Sequence, residues 1–367
     1  MIHRLTTSNS NSWHEVLKRI PAADCYAQPE FGLFWEAAYP YTFESVWFEA
    51  DGYTILYPFL VRPLSELPYG DRILEELGPV YDITSPEYGG IYHNAPDGVL
   101  PYDIETKFNE EFGLFCKERR IVTEFGRIQV LLSNTSMGPG YNVRRVGKVV
   151  LADLTKSIEE LEAGMTKEGR KKMRQGERAG IEIRELGPEG FELFPQLYYQ
   201  TMEYHTAAER YYFPASFFEA MQRLPQDFCY MLGAYNEGLL ISAIIIIQGG
   251  GVGYSYLSAT DRAKQELRPN NVLFFKMLLE SKKRGCKSFI LGGGAGGQDG
   301  TYLFKLNFSQ LEKDFFIYDR LHMPAEYTKL IELKTEYEHN LGHKSFDPES
   351  VSFFPIYRVE WRNLEDD

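Results

Sequence analysis

The stretch from Leu232 to Phe308 constrains the fold of this chain more than any other part of the sequence. It contains a strand pattern, a turn at Glu237-Gly238, the long apolar run LLISAIIIIQ, a glycine turn and the strand pattern VGYSYLSAT. A polar loop, DRAKQELRPNN, then leads into the helix pattern VLFFKMLLESKKRG, the strand pattern CKSFILGGG and the aromatic segment TYLFKLNF. Apolar runs bounded by glycine and asparagine indicate strands, whereas 3.6-residue spacing indicates a helix. This order predicts an α/β unit in which a helix connects two strands of one sheet.

The length of 367 residues predicts two domains rather than one. We expect an N-terminal domain over residues 1–150 and a C-terminal domain over residues 151–367. In the first, a hairpin turn at Asp51-Gly52 precedes the helix pattern DIETKFNEEFGLFCKERR and the strand pattern IVTEFGRIQVLL. The same order of hairpin, helix and strand occurs in both halves, which indicates a duplicated unit.

Charge and cysteine content exclude several classes of function. The formal net charge is −13, and an acidic surface repels phosphate backbones, so we do not expect DNA as a partner. The four cysteines lie far apart without CxxC spacing, which argues against a zinc site and against a disulfide framework. The N-terminus has no apolar segment typical of a signal peptide, and the run LLISAIIIIQ is too short to span a bilayer. We therefore expect a cytoplasmic protein without a membrane span and without a bound metal.

Several segments, taken in order along nearly the whole chain, resemble the FemAB-type branch of the GNAT acyltransferase superfamily. They are VYDITSPEYGG, EFGLFCKER, IVTEFGRIQVLLSN, GRKKMRQGERAGIEI, LYYQTMEYHTAAERYYFPASFF, YSYLSAT, LRPNNVLFFKMLLESKKRG, LGGGAGGQDG and TYLFKLNFS. The resemblance implies an α/β (α+β) fold of tandem GNAT-like domains, each a mixed, mostly antiparallel sheet flanked by helices. It also implies an N-acyltransferase that forms an amide bond and holds no tightly bound cofactor. The donor loop and transfer site would lie in the C-terminal domain.

The loop before the long helix bears on the donor. Ordinary GNAT enzymes hold the CoA pyrophosphate with a glycine-containing turn at a helix N-terminus. The corresponding loop here, residues 265–271, has no glycine and carries Glu266, so it argues against that mode of CoA binding. Transferases of the FemAB type take their acyl group from aminoacyl-tRNA, which we expect as the donor, with acyl-CoA as the alternative. Arg268, Asn270 and Asn271 are the predicted donor-binding residues of this loop, and one of the two asparagines is also predicted to cap the helix.

A glycine-rich strand end and a lysine with aromatic neighbours predict the transfer site. Gly292, Gly293 and Gly294 would allow close approach of the donor, although glycines also occur in flexible loops. By resemblance, Phe304 and Lys305 lie at the transfer site, where Lys305 would stabilise the oxyanion formed when an amine attacks the ester carbonyl. Spacing alone would equally permit Lys305 to lie in solvent. Asp299 could pair with Lys305, orient the acceptor amine or cap the next element.

A basic helix pattern from Lys167 to Arg178 stands out in this acidic chain. Helical spacing places four cations near one face of this helix: Arg170, Lys171, Arg174 and Arg178. This face could contact tRNA or a phosphate, or it could simply be solvated.

The predicted acceptor-binding residues are mainly aromatic, and packing within a core is the alternative role for the rings. They are Tyr204, His205, Tyr212, Tyr256, Tyr302 and Arg62. Relatives often have arginine at the position of Tyr204 and histidine at that of Tyr256, so the acceptor here could differ from theirs.

The predicted activity is transfer of an aminoacyl group from aminoacyl-tRNA to an amine. The acceptor would be a cell-envelope precursor, a peptide or a small natural product, and a lipid-linked acceptor would make the protein peripheral to a membrane. Besides the acyl-CoA-dependent enzyme, the other alternative is a non-catalytic binding protein on a degenerate GNAT scaffold.

Overall fold

A computed structural model describes residues 1–132, 135–294, 299–343 and 345–360. The chain divides into two compact units, both of which are discontinuous in sequence. Unit 1 comprises Met1–Ala22, Tyr39–Arg144 and Phe316–Asp367, and unit 2 comprises Ala23–Ala38 and Arg145–Phe315. The change from one unit to the other at Arg144 lies close to the boundary expected at residue 150. A single boundary does not describe the two units. Unit 2 includes the N-terminal segment Ala23–Ala38, and unit 1 includes the C-terminal segment Phe316–Asp367.

Within the described residues the strands are, in chain order, β1 (Ile2–Thr6), β2 (Thr42–Ala50), β3 (Tyr53–Pro63), β4 (Tyr81–Thr84), β5 (Tyr92–His93), β6 (Ile121–Arg127), β7 (Asn142–Asp153), β8 (Glu182–Leu186), β9 (Cys229–Asn236), β10 (Leu239–Gly249), β11 (Val252–Thr260), β12 (Ser288–Gly292) and β13 (Leu311–Leu321).

The α-helices of the same residues are α1 (Ser10–Leu17), α2 (Glu30–Ala38), α3 (Gly70–Leu77), α4 (Tyr102–Glu118), α5 (Ile158–Gly164), α6 (Lys167–Arg178), α7 (Pro188–Tyr204), α8 (Ala215–Gln222), α9 (Pro269–Lys283), α10 (Gly300–Leu306) and α11 (Pro324–Asn340). None of the helices in the described part of the chain combines the length and the apolar composition needed to cross a bilayer.

Each unit contains a mixed, mostly antiparallel sheet. In unit 1 the strand order is β1–β2–β3–β4–β6–β13, and only β4 and β6 are parallel. In unit 2 the order is β8–β9–β10–β11–β12–β7, and only β11 and β12 are parallel. The parallel pair is connected by α4 in unit 1 and by α9 in unit 2, as a parallel pair requires a crossover connection. The predicted duplication and fold class are therefore confirmed.

Local sequence signals explain most of the element boundaries. The turn at Asp51-Gly52 joins β2 to β3 with both residues at positive φ (51° and 84°), a conformation that suits Asp-Gly. Ser157 caps α5 in a capping box with Glu160. Helix α7 ends at Tyr204, and Pro214 precedes the first residue of α8.

The core of unit 2 is built around the central strand β10. Ile244 to Ile247 are all fully buried, as expected for a strand with packed layers on both faces. Helices α5, α6, α9 and α10 contribute apolar side chains to one layer, which includes Met173, Val272 and Tyr302. This packing fixes α9 and α10 against the end of the sheet at which the parallel strands finish.

Helix α6 packs on its neighbours through small residues. A Cβ added at Gly176 would lie 2.9 Å from the carbonyl oxygen of Arg268, and one at Gly169 would lie 2.6 Å from that of Asn307. Since a side chain at either position would collide with backbone, the glycines allow α6 to touch both the loop before α9 and the end of α10. The helix therefore positions two segments that the sequence assigns to the candidate site.

Candidate functional site

The parallel strands of unit 2 separate after three paired residues. β11 pairs with β12 only over Val252–Tyr254 and Ser288–Ile290 in the described residues, and the Ser255 hydroxyl then donates to the Leu291 carbonyl at 3.2 Å. β11 continues to Thr260, paired with β10 alone. The register of β10 and β11 shifts between Ile245 and Ile246, which leaves Tyr256 as the extra residue of a bulge. The two strands are no longer paired at their carboxyl ends, and we call the region between these ends the wedge.

The predicted glycines form one side of the wedge. Gly292 ends β12 with φ of 86°, in the left-handed region that favours glycine. A Cβ on Gly293 would lie 3.1 Å from the carbonyl oxygen of Lys148, so a side chain there would be crowded. Gly294 follows, and residues 295–298 of the predicted glycine-rich loop lie outside the described residues. Glycine is therefore required here for the position of the backbone at the strand end.

Lys305 is brought to this glycine backbone by α10. Its Nζ donates a hydrogen bond to the carbonyl oxygen of Gly293 at 2.6 Å. Burial lowers the pKa of Lys305 to about 8, because an ammonium group loses hydration there, while the charge of Asp299 opposes this shift. A titratable ammonium group thus lies at the wedge, in an environment where its proton is more labile than that of an ordinary lysine.

Asp299 has the capping role among the three considered for it. Its carboxylate accepts a hydrogen bond from the backbone N–H of Tyr302 at 2.9 Å, which makes it the N-cap of α10. It also acts on Lys305 through its charge. Asp299 therefore orients the helix that carries Lys305.

The other aromatic residues of the predicted transfer segment are packing residues in this structure. The Phe304 ring lies 5.0 Å from that of Phe274 and 5.1 Å from that of Phe308, so it anchors α10 on α9. Tyr302 is 2% exposed, and its hydroxyl donates to the carboxylate of Glu312. Both side chains support the position of Lys305.

The start of α9 lies beside the other strand of the wedge, where the Asn270 side chain accepts a hydrogen bond from the Thr260 hydroxyl at the end of β11. Arg268 is the N-cap residue of α9 and has the left-handed conformation (φ 61°, ψ 40°), which is uncommon outside glycine, and Pro269 occupies the first helical position. No described side chain caps this helix, so the prediction that Asn270 or Asn271 caps it is wrong. The Nε of Arg268 and the Nδ2 of Asn271 are buried and have no hydrogen-bond partner among the described residues. Buried donors without partners are rare in folded proteins, so they point to a ligand or ordered water at this position.

Three cations lie in or beside the short 3₁₀ segment Arg262–Leu267 that leads into α9. Arg262, Lys264 and Arg268 make no ion pair with any described acidic residue. The guanidinium group of Arg262 instead lies over the Tyr204 ring, 3.6 Å from its centre. This loop therefore offers side-chain cations where a glycine turn would offer backbone N–H groups.

Two of the four predicted tRNA-contacting residues are used within the protein. Arg170 donates to the carbonyl oxygens of Glu162, Ala163 and Met165 and so caps α5, and Arg174 pairs with Glu162 at 2.9 Å. Lys171 and Arg178 are exposed and have no ion pair in the described part of the chain.

The predicted acceptor residues are dispersed. Tyr204 is 55% exposed at the end of α7, with the His205 ring 5.1 Å away, and Tyr212 stacks on Tyr199 at 6.2 Å. Tyr256 packs against Phe31 and Phe34 of α2, at ring distances of 6.1 and 5.8 Å. Arg62 lies in unit 1, where its guanidinium group pairs with the buried carboxylate of Asp82 at 2.8 Å.

Sequence reasoning missed two contributors to unit 2. The segment Ala23–Ala38 supplies the aromatic residues that pack on Tyr256, and no local motif marks it. The hydroxyl groups of Ser242 and Thr260 bind the side chain of Asn270 at the start of α9. Both hydroxyls lie inside strand patterns, where serine and threonine give no signal of a site.

Comparison with known proteins agrees with this geometry. Residues 164–302 match the sequence profile of an acetyltransferase (GNAT) domain. No curated protein matches the sequence significantly.

Among solved structures, FemX superposes with a TM-score of 0.67 at 12% identity, over 89% of this chain and 98% of that one. A conserved protein of unknown function from Bacteroides thetaiotaomicron gives 0.55 at 9% identity, over 88% and 100%. The C-terminal domain of a protein assigned as a lysylphosphatidylglycerol synthetase from Agrobacterium fabrum gives 0.52 at 12% identity, over 88% and 94%. Residues 164–302 therefore match a GNAT acetyltransferase domain, and the fold of the chain is similar to that of FemX.

Proposed function

We propose that this acyltransferase forms amide bonds by moving an aminoacyl group from aminoacyl-tRNA to the amine of an acceptor. The observation that carries the proposal is the hydrogen bond from Lys305 to the Gly293 carbonyl at the mouth of the wedge. The acyl carbonyl of the donor would enter the wedge, and the acceptor would be a cell-envelope precursor, a peptide or a small natural product.

Lys305 supports this chemistry through its charge and its labile proton. The acceptor nitrogen attacks the ester carbonyl carbon, negative charge develops on the carbonyl oxygen, and the protonated Lys305 stabilises it. The bond from carbon to the ribose oxygen then breaks, and the proton released by the attacking amine is taken up by that oxygen. A pKa of about 8 keeps most of Lys305 protonated at neutral pH and permits it to relay this proton.

The donor loop supports tRNA over CoA. Pro269 has no N–H to offer a phosphate, and the preceding residues form a 3₁₀ segment rather than a glycine turn. The available anion-binding groups are the cations Arg262, Lys264 and Arg268, together with Lys171 and Arg178 on the exposed face of α6. Cations spread over a loop and a helix suit an extended polyanion in an otherwise acidic protein.

The acyl-CoA alternative is favoured by one observation, the match of residues 164–302 to an acetyltransferase domain. The two donors share an activated acyl carbonyl and phosphate groups, so Lys305 and the loop cations would serve either. The donor must therefore be identified by experiment.

Label transfer to a mixture of amine acceptors tests the proposal. The purified protein is incubated either with a pool of tRNA carrying labelled amino acids or with labelled acyl-CoA. We expect transfer from the tRNA pool that is abolished by RNase. Transfer from acyl-CoA alone, unaffected by RNase, would reject the tRNA donor, and transfer from neither donor would favour a binding protein.

A further inference from the structure

Asn270, the second residue of α9, lies at the centre of a small hydrogen-bonded cluster. Its Oδ1 accepts a hydrogen bond from the Ser242 hydroxyl at 2.6 Å and another from the Thr260 hydroxyl at 2.9 Å. The two hydroxyl oxygens are 3.0 Å apart. One amide oxygen is therefore held by two side chains from two neighbouring strands.

Both residues that donate to Asn270 make further contacts that hold them in place. Ser242 is fully buried in β10, and its Oγ also lies 2.9 Å from the carbonyl oxygen of Ala259. The backbone N–H of Thr260 donates to the Thr201 hydroxyl at 3.1 Å, which ties the end of β11 to α7. Three elements thus meet at the first turn of α9.

The hydrogen bonds fix which way the Asn270 amide faces. Since both hydroxyls bind Oδ1, the Nδ2 group is turned away from them, and it has no partner among the described residues. It lies in the same turn as the unpartnered Nε of Arg268 and Nδ2 of Asn271. Two buried N–H groups at this helix start therefore lack acceptors, and the Asn270 amide lies between them in sequence, so a ligand rich in oxygen could bind all three.

We propose that Ser242 and Thr260 are positioning residues that lock the Asn270 amide, so that Nδ2 donates a hydrogen bond to a phosphate oxygen of the acyl donor. The inference rests on the proposed function, and it concerns donor binding rather than the chemical step. Neither hydroxyl touches the donor, and each acts through Asn270.

Substitutions at two positions distinguish the hydrogen bond from Asn270 to the donor from the orientation of its amide by the two hydroxyls. Asn270→Asp keeps an oxygen for both hydroxyls but replaces Nδ2 by a negatively charged oxygen that repels phosphate. We expect the KM for the donor to rise at least tenfold with kcat within about twofold, as for loss of one hydrogen bond to a charged group. Thr260→Val removes one hydroxyl and should raise the same KM several-fold, and Thr260→Ser should restore it.

Ser281→Ala is the matched control. Ser281 is a fully buried serine of unit 2 that binds the Tyr230 hydroxyl at 2.7 Å, outside the cluster. The Ser281→Ala substitution should lower the thermal stability of the protein without changing the KM for the donor. A Thr260→Val variant that behaves like Ser281→Ala would overturn the proposal.

A measurement on the free protein separates this inference from the proposed activity. The ¹⁵N relaxation of the Asn270 side-chain amide should indicate a rigid group in the wild type and a mobile one in Thr260→Val. Uncharged tRNA and CoA are then titrated separately, and the resonance should shift with at least one. A mobile amide in the wild type, or no shift with either probe, rejects the lock, whereas a rigid, shifting amide without label transfer rejects only the proposed reaction.

Discussion

The two units share one strand order but differ at the parallel strand pair. In unit 2 the pairing of β11 with β12 stops after three residues and leaves the wedge. In unit 1 hydrogen bonding to β6 continues beyond the end of β4. The backbone N–H of Ser85 donates to the Phe125 carbonyl at 3.0 Å, and that of Gly89 donates to the Arg127 carbonyl at 2.8 Å. The same topology is therefore open in one unit and closed in the other.

A cluster of buried polar side chains surrounds β6, the second parallel strand of unit 1. The fully buried carboxylate of Glu124 accepts hydrogen bonds from the hydroxyls of Tyr57 and Tyr141 and lies 2.9 Å from His322 Nε2. Burial, and then the charge of Glu124, raises the pKa of both phenols well above the usual value, so they remain protonated donors. The Tyr318 ring lies directly over Gly126.

The first turns of the crossover helices differ in the same sense. The first turn of α4 contains Asp103 and Glu105, whereas the first turn of α9 has no acidic residue. Negative charge at a helix start disfavours a bound phosphate. Strand order thus creates the place for a site, and the side chains around the parallel pair decide whether a ligand can use it.

The largest expected effect is on catalysis in unit 2. Lys305→Met should lower kcat about 10²–10³-fold, the cost of removing one group that stabilises a developing oxyanion. The measurement is steady-state transfer with whichever donor supports activity. Lys107→Met, an exposed lysine of unit 1, is the control and should leave kcat unchanged. Full turnover by Lys305→Met would remove the assigned role of Lys305.

The matching change in unit 1 should affect stability instead. Glu124→Ala leaves the hydroxyls of Tyr57 and Tyr141 buried without their acceptor, which should lower the free energy of unfolding by about 3 kcal/mol. Denaturant unfolding measures this, and kcat at a temperature where the variant is folded should stay within about twofold. A large loss of kcat in the folded variant would show that unit 1 takes part in the reaction.

The lowered pKa of Lys305 predicts a pH-dependent stability difference. The unfolded chain binds the Lys305 proton up to about pH 10.5 and the folded protein only to about 8. The burial penalty is therefore complete below pH 8 and disappears as pH rises from about 8 to 10.5. Relative to Lys305→Met, the wild type should gain up to about 3 kcal/mol across this window, at about 1.4 kcal/mol per pKa unit. Parallel unfolding curves at pH 7, 9 and 10.5 test this, and a constant difference would contradict it.

A pair of glycine substitutions compares the two units directly. Gly293→Ala crowds the Lys148 carbonyl and should displace the acceptor of the Lys305 hydrogen bond, with about a tenfold loss of kcat and little loss of stability. Gly126→Ala places a methyl group 2.3 Å from the Tyr318 hydroxyl oxygen and should lower stability by about 2 kcal/mol with kcat retained. Reversal of these two outcomes would mean that the units have been assigned the wrong roles.

The smallest effect is expected on the surface of α6. Lys171→Glu and Arg178→Glu should each weaken tRNA binding a few-fold and make it less salt-dependent, by about one unit of the slope of log K against log salt. Binding of labelled tRNA over a salt series measures this. Lys107→Glu in unit 1 has the same charge change, and an equal loss there would show that only net charge matters.

Sequence patterns were sufficient to predict most helices and strands, and also the glycine-rich strand end and Lys305 of the candidate site. α6 begins at Lys167 and ends at Arg178 as predicted, and α5 begins directly after its capping residue Ser157. The Gly-rich strand end and Lys305 were predicted from a family pattern, and they lie in direct contact. These features are local or follow one another closely along the chain.

Contacts between distant segments could not be predicted in the same way. Asn270 meets Ser242 from 28 residues away, and Tyr256 meets Phe31 from a segment that the predicted boundary gave to the other half. Arg170 has the helical spacing of a surface cation, yet its guanidinium caps α5. Spacing gives the face of a helix but not what lies opposite that face.

The amino-acid order alone determines the duplicated mixed sheet, the helix boundaries and the position of a lysine next to a glycine-rich strand end, because propensity, capping and periodicity act over a few residues. Tertiary structure decides the rest. It opens the parallel pair in one unit and closes it in the other, lowers the pKa of Lys305 by burial, and turns the Asn270 amide with hydroxyls from two strands. Each of these depends on desolvation and hydrogen bonding between groups that only the folded chain brings together.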